Sequence, residues 1–454
     1  MLRRWGAAAT VVAALVMVAG CGGGAEPDGE DSEQPQFTTN PSGELRAWGF
    51  DNADDVGQAR LDHAASTLAD VTVKLDATGF DAQKLTTRLA SGDVPDVVQM
   101  DRQFVATYAA QDLILPVDAC FSAWGMDPAT QFYPSVTADV TYDGKLWAAP
   151  QFFQPAAIML NQRALKAAGV DAAQIDTSKP DELVATTKKL YREDGGKPTR
   201  LGFDPVATGQ APLWVLGSGG RLVDDQGKPA LDDPANVKAL AFLKQLTDAQ
   251  GGFAKVKSFS DSFDFFGKGN QFVKDQVAAQ VDAQWYVNVL SPYAEQVELG
   301  ATPFKDQDGR PFAVSGGSSF VIPAKAKNPD AACAWMVNLV TEDAWMAAGD
   351  ARAATLKKEG GVNAGLFTGS PAADQAIKAK FVKPTGNAGI DATIQTYYDV
   401  VAAGKSLGTS PAGQTIQSEL NNAVSSALLG QKSPEQALAD AQAASTRAYD
   451  KIVG

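Results

Sequence analysis

Aromatic rings, carboxylates and amides recur where apolar runs give way to polar ones. Trp48, Phe50 and Asp51 close the alternating stretch that begins at Glu44, Asp101 follows the apolar Val97–Met100, and Phe152, Phe153 and Gln154 follow Ala148-Ala149-Pro150. Trp214, Trp285 and Tyr286 come later in the chain. Carboxylates and amides hydrogen-bond hydroxyls around the edge of a molecule, and flat rings cover apolar C–H faces. A saccharide presents both surfaces. Open α/β sheets bind ligands at strand ends, where these residues fall. We expect them to line a saccharide site, led by Trp48, Asp101 and Trp285, with about half of the rings serving as buried supports.

Gly316-Gly317, ahead of Ser318, suits either a backbone that approaches a ligand closely or a plain hinge turn. Arg352 follows a helical run holding Trp335, Met336, Leu339, Trp345 and Met346, and either reaches the ligand or stands solvated on the surface. A glycoside hydrolase would need two carboxylates across a scissile bond; acidic residues abound, yet no acid/base constellation stands out. His63 is the single histidine, which leaves little room for a Ser-His-Asp hydrolase or a zinc enzyme. Asp54-Asp55 and Asp224-Asp225 lack the spaced oxygen ligands of a calcium loop, and no glycine-rich phosphate loop is present. We expect no catalytic residue, metal or cofactor.

The elements that must position these groups alternate in type. Glu44–Phe50, Val71–Leu75 and Val97–Met100 read as strands, separated by an Ala-rich helical stretch around Leu61–Leu68 and a helix from Asp81 to Leu89 ending near Ser91-Gly92. This order implies a mostly parallel, buried sheet. Asn161–Ala168, Asp181–Tyr191 and Ala230–Gln250 suit helices, with turns at Gly195-Gly196-Lys197-Pro198 and Asp224–Pro229. Asn328-Pro329-Asp330 and Ser433-Pro434 followed by Gln436 are helix starts, the last helix running toward Val453.

The first twenty residues carry Arg3 and Arg4, an apolar run from Ala7 to Val18, and small residues before Cys21. These are the zones of a secretory signal, too short to span a membrane. Val18-Ala19-Gly20-Cys21 resembles a bacterial lipobox, which implies lipidation of Cys21 and a tether over 21–43 that is too rich in Gly, Pro and acid to bury a core. Loss of Arg3 and Arg4 would take 39 Lys and Arg to 37 against 53 Asp and Glu, a formal charge of −16. That balance disfavours nucleic acid and anionic lipid as partners. About 410 residues remain for one or two cores, and two fit the length better. Cys120 and Cys333 are either a disulfide, in an oxidising compartment, or two buried thiols.

Four stretches, read in order, resemble the maltose-binding-like family of ABC-transporter solute-binding proteins. They are Leu89–Asp101; Tyr142–Pro150 with Asn161 beyond; Phe272 through Val277-Ala278-Ala279 to Trp285; and Ser315–Pro323 with Lys327–Ala332. Leu428–Pro434 is similar to the family's C-terminal end. The chain departs from many relatives in having Leu160-Asn161 where they have Tyr-Asn, and Phe152-Phe153 just before, so the likeness places the cleft better than it identifies the sugar. The resemblance implies a two-lobe α/β fold with lobe 1 at 44–150 plus about 317–384 and lobe 2 at about 151–316 plus 385–454. It implies a ligand cleft between the lobes, hinge closure, no catalysis, and a monomer that hands a sugar to ABC permease subunits from the outer face of the cytoplasmic membrane. A lipid-anchored sugar sensor or adhesin would share that fold, and an exported glycoside hydrolase would share the composition.

Overall fold

The computed structural model describes residues 35–50 and 54–454. The signal segment, Cys21, most of the tether and Asp51 lie outside the described residues. Eight strands form the two main sheets: β1 Gly43–Trp48, β2 Val71–Asp76, β3 Val97–Asp101, β4 Ala149–Gln151, β5 Ala156–Asn161, β6 Ala279–Ala283, β7 Leu299–Thr302 and β8 Ser318–Val321. The first sheet has the order β2-β1-β3-β8-β4 and the second the order β6-β5-β7. The chain therefore leaves the first sheet after Gln151, builds the second, and returns at Ser318 to fill the gap between β3 and β4.

That return decides the strand directions. β1 is parallel to β2 and β3, but β8 enters from the opposite end and is antiparallel to both β3 and β4. The second sheet is antiparallel throughout. The expected mostly parallel, buried sheet is thus confined to β1–β3, and even there the edge strand β2 keeps exposed positions. A mixed arrangement follows from a chain that crosses between lobes instead of winding one sheet.

Local chemistry starts and stops the helices. Asp81 Oδ1 accepts from Lys84 N at 2.6 Å to open Ala82–Ser91, and Gly92 at φ 80° closes it. Asn328 accepts from Ala331 N ahead of Pro329–Leu339, and Ser433 from Gln436 N ahead of Pro434–Val453. A large core gathers Leu45, Val98, Phe320 and Trp335 around the first sheet. A second packs Ile158, Leu160, Trp214, Leu243 and Leu438 around the other. Cys120 and Cys333, 213 residues apart and both fully buried, are joined in a disulfide with Cα atoms 5.7 Å apart.

Candidate functional site

A cavity of about 290 Å³ opens between the two sheets, lined by Asp54, Val56, Phe152, Gln154, Gln284, Trp285, Asn288, Arg352, Gly365, Leu366 and Phe367. One wall is the start of the helix Asp55–Thr67, capped by Asp54, whose carboxylate accepts from Gly57 N. Arg352, from the helix Glu342–Glu359, donates to Asp55 at 2.7–3.1 Å and to Asp54 at 2.9 Å. Partial burial pushes the Asp55 carboxyl upward, but the Arg352 hydrogen bonds and charge outweigh it and hold the group below the usual carboxylate range. Arg352 is raised in turn, the two carboxylates prevailing over burial.

Phe152 sits at the crossover from β4 to β5 with φ 58°, a left-handed backbone uncommon for a residue with a side chain. Its ring meets Trp345 edge-on at 5.1 Å, and the buried Arg60 guanidinium lies 3.8 Å from the Trp345 centroid. Arg60 also donates to Leu339 O at 2.9 Å and Gln151 Oε1 at 2.7 Å. Cation, ring and crossover strand therefore form one packed support beneath the cavity. On the far wall Gln284 is 8% exposed and its Oε1 has no partner among the described residues. This buried acceptor is suited to a donor supplied by a ligand.

The crossovers themselves are tied by Arg102. Its guanidinium donates to Gln151 O, Phe152 O, Ser318 O and Ser315 O, and Asp139 accepts from Ser315 Oγ at 2.7 Å and Ser406 Oγ at 2.5 Å. A Cβ at Gly317 would fall 2.5 Å from Arg102 Nη1 and from Phe152 O. Glycine at that position is explained by this close approach of backbones.

The residues picked from the sequence divide accordingly. Phe152, Gln154, Trp285 and Arg352 come together in the cavity. Asp101, Gly316 and Gly317 line a different one, of about 210 Å³, with Arg102 and Asp139. Ser318 begins β8, and its Oγ accepts from Gln151 Nε2 at 3.1 Å. The remaining rings are corrected to core. Trp48 is 1% exposed, with its indole N–H on Thr78 Oγ1, and Phe50 stacks on Phe320. Phe153 packs on Tyr133, and Trp214 is enclosed by Phe203, Phe242 and Phe304 with its N–H on Pro205 O. Tyr286 is buried with its hydroxyl donating to Phe265 O. Each ring gains more from a closed packing shell than a strand-end loop would provide. Sequence reasoning missed Gln284, Asn288, Leu366 and Phe367. It weighed Asp54-Asp55 only against a calcium loop, which the pair does not fit, and did not anticipate that the two carboxylates serve Arg352.

A profile of the family described as bacterial extracellular solute-binding protein matches residues 68–346. This chain belongs to that family. Among curated relatives, the diacetylchitobiose binding protein DasA of Streptomyces coelicolor is 24% identical over 346 residues, covering 73% of this chain and 76% of DasA. Among solved structures, CpMnBP1 with mannotriose bound superposes with a TM-score of 0.70 at 22% identity, over 88% of this chain and 99% of that one. The substrate-binding protein Lmo0181 of Listeria monocytogenes, in complex with cycloalternan, gives 0.71 at 15% identity over 89% and 98%. The fold is the two-lobe, maltose-binding type of solute-binding protein. Members of this family are extracellular solute-binding proteins.

Proposed function

We propose that this chain is an exported, lipid-anchored receptor that captures a saccharide between its lobes and delivers it to the permease of an ABC importer. The observation that carries the reading is the composition of the 290 Å³ cavity: the rings of Phe152 and Trp285 beside the hydrogen-bonding groups of Gln154, Gln284, Asn288 and the Asp54–Arg352 pair. Rings for C–H faces and amides for hydroxyls are the two requirements of a sugar site. The sugar ligands of DasA, CpMnBP1 and Lmo0181 support the same class. In this reading lobe 1 comprises 44–150 and about 317–384, lobe 2 about 151–316 and 385–454, and the lobes close on the ligand as a monomer. Asp101, Gly316 and Gly317 then belong to the hinge side and not to the sugar.

Lipidation at Cys21 rests on the charged, apolar and small-residue zones that precede it, and places the receptor on the outer face of the cytoplasmic membrane. The test is a thermal-shift screen of the domain from Thr39 to Gly454 against mono- and oligosaccharides, amino acids and peptides. A true ligand at 100 times its dissociation constant stabilises the native state by roughly 2.7 kcal/mol. A shift with one saccharide class and no turnover is expected. A response confined to amino acids or peptides overturns the sugar reading, and consumption of a sugar overturns the receptor reading in favour of a hydrolase.

A further inference from the structure

Phe266 is 71% exposed, the most exposed large apolar side chain among the described residues. Its ring lies nearly parallel to that of Trp285, 17° between planes and 6.2 Å between centroids. Trp285 lines the sugar cavity, so the aromatic surface continues outward from it.

The loop that presents Phe266 is held firmly. Asp264 O accepts from Gly267 N at 3.0 Å and Asp264 Oδ2 from Gly269 N at 2.8 Å. A Cβ on Gly267 would fall 2.1 Å from the nearer oxygen of the Asp264 carboxylate, so a side chain there would displace the group that accepts from Gly269 N. Phe265 turns inward, its ring 4.3 Å from that of Tyr286, while its carbonyl accepts from Asn270 Nδ2 at 2.8 Å and the Tyr286 hydroxyl at 2.9 Å. With Phe265 anchored, the next side chain is directed to solvent. Exposure of a full aromatic ring has a hydrophobic cost, and here it is built into a fixed loop. A phenyl ring on an anchored backbone has few side-chain torsions to order when a ligand stacks on it.

The cavity volume gives this platform a use. About 290 Å³ is the lower end of the range for small-molecule sites, too little for a long ligand. A chain of sugar units offers an apolar face at each unit, and those beyond the cavity mouth need a ring outside it. We infer that the ligand is an oligosaccharide and that Phe266 is the stacking platform for the unit that projects past Trp285. This rests on the saccharide reading above and adds chain length and a residue that sets it.

The experiment is isothermal titration of wild type, Phe266→Ala, Phe266→Trp and Trp285→Ala with one- to four-unit members of the gluco-, manno- and N-acetylglucosamine series. Within the bound series, wild type should gain affinity as units are added. Phe266→Ala should lose on the order of tenfold on the three- and four-unit ligands, nothing on the shortest bound member, and keep its ligand-free melting temperature. Phe266→Trp should retain the long-chain affinity, and Trp285→Ala should weaken every length. If Phe266→Ala binds all lengths like wild type, or loses equally on all, the platform is overturned while the saccharide reading stands. If wild type binds no member of any series, both fall.

Discussion

Asp139 Oδ2 stands 3.5 Å from Arg102 Nε, and the two side chains are 10% and 2% exposed. Around this ion pair meet the ends of β3 and β4, the Ser315 segment and the Ser406 segment. Burial drives the Asp139 carboxyl upward, with the Arg102 charge and the two serine hydroxyls opposing it. Removing one member of a buried pair leaves the other uncompensated, at a cost of about 3–5 kcal/mol. Asp139→Ala should therefore lower the unfolding free energy by that amount in urea titrations. A loss under about 1 kcal/mol would mean that the carbonyls around Arg102 suffice without the carboxylate.

Trp214 and Trp285 should separate stability from binding. Trp214 fills the second core, so Trp214→Ala should cost about 3–5 kcal/mol while the folded fraction binds saccharide normally. Trp285, half-buried at the cavity, should show the reverse: a small change in melting temperature and a large loss of affinity in titration calorimetry. Equal effects in both assays would contradict the placement of the site.

Acidification should stabilise the protein. Burial lifts Asp282 from 3.8 to about 7, and Asp204 and Asp374 to about 6. Between the ordinary carboxylate value and these raised ones the native state holds protons that the unfolded chain has released. Stability is therefore greatest below that window and falls as pH rises through it, by at most about 1.4 kcal/mol per pH unit for each group. Asp76 acts in the opposite sense: hydrogen bonds from Thr78 and Arg88 hold it at about 2, so its contribution is lost only in stronger acid. The melting temperature should rise from pH 8 to about pH 5. Asp282→Asn should raise it most at pH 8, less at about pH 5, and make little difference only below the ordinary value of 3.8. A flat profile would show that these carboxylates ionise normally.

Reduction of Cys120–Cys333 should lower the melting temperature without changing affinity. The bond closes a span of 213 residues, and opening a native disulfide typically costs about 2–5 kcal/mol. Neither cysteine lines the cavity, so calorimetry on the Cys120→Ala/Cys333→Ala protein, below its melting point, should return the wild-type dissociation constant. A shifted constant would tie the first-lobe core to the site.

Helix limits were legible in the sequence because caps are local: Asp81 with Gly92, Asn328 with Pro329 and Ser433 with Pro434 act within a few residues of chain. The direction of each ring at a strand end was not. Trp48 and Phe50 both turn inward across Gly49, whose φ of 89° and approach to Gln99 O depend on the pairing of β1 with β3. Arg352 meets Asp54 from 298 residues away, so the sequence could set aside calcium at this pair of adjacent carboxylates but not name the guanidinium that is their partner. Gln284 and Asn288 carry no compositional signal, although their closeness to Trp285, in the turn and the short helix Tyr286–Leu290 that follow β6, offered a hint. The crossovers at Pro150 and Ser315-Gly316-Gly317 were legible through the family likeness, and so was the fold.

The position of β8 also bears on how the molecule is made. Because Ser318–Val321 threads between β3 and β4, those strands share no hydrogen bonds with each other. A ribosome that has synthesised the first 300 residues has produced the three strands β2-β1-β3 and, apart from them, β4 with no neighbour in its sheet. The last two helices, which pack on the second core, come later still. Neither lobe can lock before most of the polypeptide exists. Until β8 is made, the edges of β3 and β4 stay unpaired and must be kept from pairing with other chains.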